Sequence, residues 1–272
     1  MDLGLSGRRA LITGASRGIG RAIAEAFARE GCHLCLNARD TTALADAKRE
    51  LESQYGIDVS LHACDLTQTG SAEFLAQECG NVDVLVNNAG AIPRGSILDI
   101  DETTWREAWN LKVFGYINLT RSFYSRMSLQ RSGVIINIIG IGAEKLDAAY
   151  AAGSSGNAAL VALTKALGSV SLDQGVRVIG VNPGWVETDK AKRSLQKRAA
   201  EELDNSDRWP ELVADWPRGS LIKPSEIGDV VAFLASARAS ALCGTVVTVD
   251  AGFAARGYGP GKSKNSLKVA SH

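Results

Sequence analysis

Thr13-Gly14-Ala15-Ser16-Arg17-Gly18-Ile19-Gly20 decides how this chain is read. A short apolar run, Ala10-Leu11-Ile12, precedes it, and Arg21-Ala22-Ile23-Ala24-Glu25-Ala26-Phe27-Ala28 follows. The spacing of Ile23, Phe27 and the alanines predicts a helix. The glycines therefore fall between a strand and a helix. There the free N–H groups and partial positive charge of the helix start suit a phosphate group. Glycine allows the tight turn and the close approach of a pyrophosphate. Three glycines alone would be a weak signal, but the strand-loop-helix context points to a dinucleotide. The competing reading is a loop that only closes a turn.

Outward from this loop, strand-like and helix-like segments alternate. Strands are predicted over 31–37, 59–63, 83–86, 133–139, 176–181 and 246–250, and helices over 42–55, 105–128, 156–171 and 226–236. This alternation predicts an α/β fold, a doubly wound parallel sheet with helices on both faces. Ligands of such sheets bind beyond the carboxyl ends of the strands. The chain has no repeats and no domain-scale linker, so a single domain over 1–256 is expected. A polar, glycine-rich tail at 257–272 is expected to be flexible. The stretch 185–219 breaks the rhythm and holds three of the five tryptophans, Trp185, Trp209 and Trp216. A long insertion after a strand predicts a substrate lid, with an oligomer contact as the alternative. Its basic run, Lys190, Lys192, Arg193, Lys197 and Arg198, fits either an acidic substrate or one solvated helix face; Glu201 and Glu202 favour the latter.

Thirty basic and thirty acidic residues cancel, which removes any general electrostatic case for nucleic acid or a membrane surface. No apolar run reaches the ~18 residues of a spanning helix. The first residues lack the pattern of a signal peptide, so a cytoplasmic protein is expected. Cys32 and Cys35 form C-x-x-C inside a strand-like run, which puts them on opposite faces. Cys64, Cys79 and Cys243 are scattered, and His33, His62 and His272 do not cluster in sequence, so no metal site is expected.

The G-x-x-x-G-x-G spacing resembles the short-chain dehydrogenase/reductase family, and further motifs extend the resemblance over nearly the whole chain. It implies a Rossmann-like fold. Asn87-Asn88-Ala89-Gly90 resembles the family's N-N-A-G, which lines the cofactor. Asp65-Leu66 resembles its adenine-binding segment, and Pro183-Gly184-Trp185-Val186-Glu187-Thr188 its P-G-x-x-x-T, which holds the nicotinamide amide. The resemblance thus implies cofactor contacts at Gly14, Ser16, Arg17, Gly18, Ile19, Gly20, Asp65, Leu66, Asn88, Ala89, Gly90, Val186 and Thr188. NAD-dependent members carry an acidic residue near Ala38; here it is missing and Arg39 follows. Arg17 and Arg39 suit the 2′-phosphate of NADP rather than NAD.

The family's catalytic serine, tyrosine and lysine have no counterparts. Ungapped alignment of the helix up to Leu163-Thr164-Lys165 puts Gly153 on the tyrosine position, Asn157 on the lysine position and Gly140 on the serine position. An alternative register uses Tyr150 as the tyrosine, meets Ser154 four residues on, and still lacks the lysine. A unit charge at ~4 Å is worth about 4 kcal/mol at an effective dielectric of 20. Without it a phenol titrates near ~10, a poor base at neutral pH but a usable proton donor. Tyr150 and Ser154 are the candidate replacements. Asn157 is expected to bond the cofactor ribose, and Asn110 matches the helix asparagine that anchors a relay water. Arg94 is a candidate clamp for a substrate carboxylate, a solvent-facing arginine being the alternative. Two readings follow. One is an NADP-dependent reductase of a small carbonyl compound with a rearranged proton donor. The other is a lyase, hydrolase, partner subunit or sensor that keeps the cofactor pocket. The family resemblance also implies a homodimer or homotetramer.

Overall fold

Strand β1 (Arg9–Thr13) lies inside a seven-stranded sheet in which every neighbouring pair is parallel. The other strands are β2 (His33–Ala38), β3 (Val59–Ala63), β4 (Val84–Asn87), β5 (Gly133–Ile138), β6 (Val176–Pro183) and β7 (Val246–Val249), in the spatial order β3-β2-β1-β4-β5-β6-β7. The computed structural model describes residues 2–256, so the expected tail at 257–272 lies outside the described residues. The order reverses between β1 and β4. The glycine loop leaves β1 and Asn88-Ala89-Gly90 leaves β4, so both predicted cofactor segments stand at the switch point.

Helices cover both faces, as the alternation predicts. They are α1 (Gly18–Arg29), α2 (Thr41–Tyr55), α3 (Ser71–Cys79), α4 (Glu102–Trp109), α5 (Gly115–Gln130), α6 (Ala151–Gly168), α7 (Asp189–Leu203) and α8 (Pro224–Ala235). Ile12, Phe27, Leu34, Leu36, Ile179 and Val231 fill one face of the sheet; Leu11, Leu75, Leu85, Phe123 and Ile135 fill the other. Each fully buried side chain of this size contributes about 1.5–3 kcal/mol. Arg177, buried on β6, donates to the carbonyls of Leu234, Ala235, Ser236 and Ala239, satisfying the end of α8. No helix among the described residues is long and apolar enough to cross a membrane.

Four expectations need correction. The segment 185–219 is not a bare loop: Thr188 caps α7, accepting from Ala191 N–H at 3.2 Å, and two 3₁₀ segments follow. Trp185 and Trp216, with ring centroids 5.4 Å apart, join Trp209, Leu195, Val213 and Leu221 in a small core of their own. The basic run is chiefly a helix face, with Arg198 on Glu202 and Lys197 on Glu201. The helix expected over 105–128 begins at Glu102 and is interrupted by a π-helical turn, Asn110–Phe114. The helix expected over 156–171 begins at Ala151, with Tyr150 as its N-cap.

The fourth correction concerns the cysteines. Cys32 and Cys35 do face opposite sides of the sheet, but Cys35 meets His62 and Cys79, their ligand atoms within 4.8 Å of one another. These residues are distant in sequence and converge only because β2, β3 and α3 are adjacent. Hydrogen bonds from Cys79, His62, Ser60 and the Arg9 guanidinium hold the Cys35 thiol below its ordinary pKa, while Cys79 is pushed up by its bond to Cys35 and by burial. Arg9 Nε stands 3.2 Å from the Cys35 sulfur, so a fixed cation already lies against this cluster.

Candidate active site

The glycine loop uses glycine where a side chain would be strained or would collide with its neighbours. Gly14 and Gly18 have φ of +65° and +57°, and a Cβ on Gly20 would lie 2.2 Å from the Gly14 oxygen. Asn88 holds the loop from the neighbouring strand: its Nδ2 donates to Thr13 O at 2.9 Å, and its N–H and that of Ala89 donate to Thr13 Oγ1. Arg17, the N-cap of α1, makes no side-chain cap, so no side chain of its own closes the N–H groups at the helix start. Thr188 closes the other side, its methyl carbon 3.3 Å from where a Gly18 Cβ would stand. Val186, two residues before it, is buried and accepts from the Thr188 N–H. This cradle of backbone donors fits a pyrophosphate.

On the far side of β1, Arg17 and Arg39 are both exposed. Arg39 lies 4.0 Å from Asp65, whose carboxylate also accepts from Thr67 N–H and Oγ1. Leu66 is buried beside it. Leu66 and Asn110 line a cavity of about 410 Å³ together with Thr67, Gly70, Phe114 and Asn118. The Asn110 side chain is exposed there, and its carbonyl accepts from Gly115 N–H within the π turn. Ser154 lines a different cavity from Asn110.

A buried polar chain fixes α6 against the sheet. Asn87 Nδ2 donates to Asn137 Oδ1 at 2.9 Å and to Thr120 Oγ1 at 3.2 Å; Asn137 Nδ2 donates to Thr164 Oγ1 at 2.9 Å. Thr164, Asn157, Gly153 and Tyr150 fall on one stripe of α6 and its cap. The Tyr150 ring occupies the space at Gly153: a Cβ there would lie 1.9 Å from Tyr150 Cζ. Burial raises the Tyr150 pKa, and Arg94, with its guanidinium carbon 5.4 Å from the ring centroid, acts in the opposite sense. Arg94 also approaches Trp185 and is paired with Asp147, so its charge is already matched.

Ser154, four residues after Tyr150 and three before Asn157, is buried beside the stripe, and its hydroxyl has no partner. It lines a second cavity with Leu146, Asp147, Ala151, Ser155 and Ala158. Asn157 Nδ2 donates to Gly140 O at 3.4 Å, and its buried Oδ1 has no partner. Gly140 N–H donates to Asn182 Oδ1, while Asn182 Nδ2 donates to Glu144 at 2.7 Å. Sequence reading missed Lys112 altogether. Its Nζ donates to the carbonyl of Ile139, the residue before Gly140, and burial followed by the charge of Lys190 pushes its pKa down to about 7.

Known proteins resemble this chain along most of its length. The model of the family described as enoyl-(acyl carrier protein) reductase matches residues 14–254. The chain belongs to the short-chain dehydrogenase/reductase family. It is 32% identical over 251 residues to dehydrogenase/reductase SDR family member 6 of Rattus norvegicus, covering 92% of this chain and 98% of that protein. It is 31% identical over 255 residues to galactitol 2-dehydrogenase (L-tagatose-forming) of Cereibacter sphaeroides, covering 92% and 96%. The crystal structure of L-sorbose reductase from Gluconobacter frateurii, complexed with NADPH and L-sorbose, superposes with a TM-score of 0.86 at 31% identity, covering 93% and 99% of the two chains.

Proposed function

We propose that this short-chain dehydrogenase/reductase binds NADP and reduces the carbonyl group of a small molecule. The observation that carries the reading is the cradle formed by the glycine loop, Asn88 and Thr188, in a chain similar along its length to a reductase solved with NADPH. Gly14, Ser16, Gly18, Ile19 and Gly20 would surround the pyrophosphate. Arg17 and Arg39 would meet the 2′-phosphate, and Asp65 and Leu66 the adenine. Ala89, Gly90, Val186 and Thr188 would line the nicotinamide end, with Asn157 bonding the ribose. When bound, NADPH supplies hydride from C4 of its nicotinamide.

The chain itself must hold the substrate and deliver a proton. Tyr150, a neutral phenol kept protonated by burial, is suited to giving a proton and unsuited to taking one, so the reading favours reduction. Ser154 and a water held by Asn110 are weaker members of the set, because Ser154 and Asn110 line two separate cavities and neither Tyr150 nor Asn157 lines either one. Self-association as a homodimer or homotetramer, as the resemblance implies, would be read by sedimentation.

NADPH deuterated at C4, on each face in turn, would be incubated with the protein and a panel of carbonyl compounds. A labelled alcohol detected by mass spectrometry is the expected result. Bound NADPH with no label in any product would overturn the reading and favour a lyase, hydrolase, partner or sensor role, for which the neutral Asn157 speaks.

A further inference from the structure

Lys112 enters the site from an unexpected direction. It lies on the π turn, where one extra residue per turn changes which side chains face inward. Its stem passes Gly90 so closely that a Cβ there would come within 2.9 Å of Lys112 Cδ. Its ammonium ends on the carbonyl of Ile139. The next residue is Gly140, whose own carbonyl accepts from Asn157. The lysine therefore brings a cation to the peptide that joins Ile139 to Gly140, a position with no ionisable side chain, and Asn157 bonds the next carbonyl along.

We propose that Lys112 is a catalytic residue of this site and that it, in place of Tyr150, gives the proton to the substrate's carbonyl oxygen. This inference rests on the reductase reading above. The carbonyl carbon gains hydride, the oxygen gains a proton from Nζ, and the neutral amine left behind regains its proton from water. An ammonium has three N–H donors, and a single carbonyl occupies Lys112, so donors remain for a substrate oxygen.

The surrounding groups set its ionisation. Lys190, near the start of α7, is the charged group whose field reaches it, and it disfavours the ammonium. The loop after β4 offers Gly90, and the end of β5 offers Ile139 and Gly140, none of them titratable. The cap of α6 contributes the half-buried Tyr150, and one turn along its own helix stands Tyr116, its pKa raised by burial and by Tyr150. Neither lysine has a carboxylate partner among the described residues. The resulting pKa of about 7 leaves both protonation forms populated at neutral pH, the condition that favours acid–base catalysis.

The test begins with a readout independent of turnover. The full-length protein is labelled with [ε-¹³C]lysine and titrated by NMR from pH 5 to 11, with Lys112→Met assigning the signal. Lys112 should titrate near 7, and Lys190→Met should move it upward. A Lys112 signal that titrates with the bulk lysines overturns the proposal, whether or not hydride transfer occurs. Label transfer from deuterated NADPH is then compared in the same variants. Lys112→Met should bind NADPH like the parent yet transfer label about 100-fold more slowly or worse, the usual scale for loss of a general acid. The parent's transfer rate should fall as pH rises through 7, and this step should vanish in the variant. Parent-like transfer and an unchanged pH profile in a folded Lys112→Met would assign the proton to Tyr150 instead. No label with the parent protein sinks the reductase reading and the proposal with it, whereas an ordinary titration of Lys112 sinks the proposal alone.

Discussion

Asn157 gives one hydrogen bond to the carbonyl of Gly140 and leaves its own oxygen buried without a partner. An orphaned buried acceptor costs about 1–3 kcal/mol. Such a group persists where a ligand completes it. Asn157→Leu should therefore leave thermal stability of the ligand-free protein unchanged or raised. The same change should weaken NADPH about tenfold, the scale of one lost hydrogen bond. Thermal melts and fluorescence titration of NADPH read the two effects separately. Unchanged NADPH affinity would remove Asn157 from the cofactor site.

The exposed guanidiniums of Arg17 and Arg39 should matter for one cofactor and not the other. Arg17→Ala and Arg39→Ala should each weaken NADPH by roughly tenfold while leaving NADH within about twofold, since only NADPH carries the extra phosphate. Dissociation constants for both nucleotides measure this. Equal losses for NADH would mean that the arginines shape the loop rather than read the phosphate.

At Gly20 the geometry is less forgiving. A methyl group there would meet the Gly14 oxygen at 2.2 Å, and backbone cannot give way as a flexible side chain can. Gly20→Ala should cost about 3 kcal/mol, at the high end for overpacking. A lowered urea midpoint and loss of NADPH binding are the expected results.

Lys112 also carries a pH signature in stability. Its folded pKa lies near 7, below the ordinary value of 10.5. Between those values the unfolded chain binds more protons than the folded one, so stability rises with pH across that window. At or below pH 7 both states are charged and the folded state bears the full penalty of the confined ammonium. Lys112→Met should thus melt higher than the parent at pH 6, with the advantage fading toward pH 10. Melting curves at four pH values would show it, and a constant difference between the two proteins would contradict the assigned ionisation.

Much of this was legible in the sequence because it rests on local rules. The glycine loop, the parallel alternation and the shared stripe of Tyr150, Gly153 and Asn157 each follow from periodicity or backbone need. The charged face of α7 was legible from its Lys/Arg run and the glutamates that follow, but the extent of the helix was not, because it buries only Leu195 and Ala199 and so lacks a broad apolar face. Asn110 could be placed on a helix, but the π turn, which no residue pattern announces, decides which side chain points inward. That turn leaves Asn110 exposed and sends Lys112 to Ile139. The Cys35–His62–Cys79 cluster depends on which strands lie side by side, information that spacing along the chain does not contain.

Tyr150 and Gly153 compete for one volume, so the two positions cannot both bear aromatic rings. The chain admits a tyrosine from the cap of α6 or from its first turn, and each choice forbids the other. Installing tyrosine at 153 alone would produce a collision, and removing Tyr150 alone would leave a void. Passage between the two arrangements therefore requires coupled changes. The effect of a substitution at either position therefore depends on what the other holds.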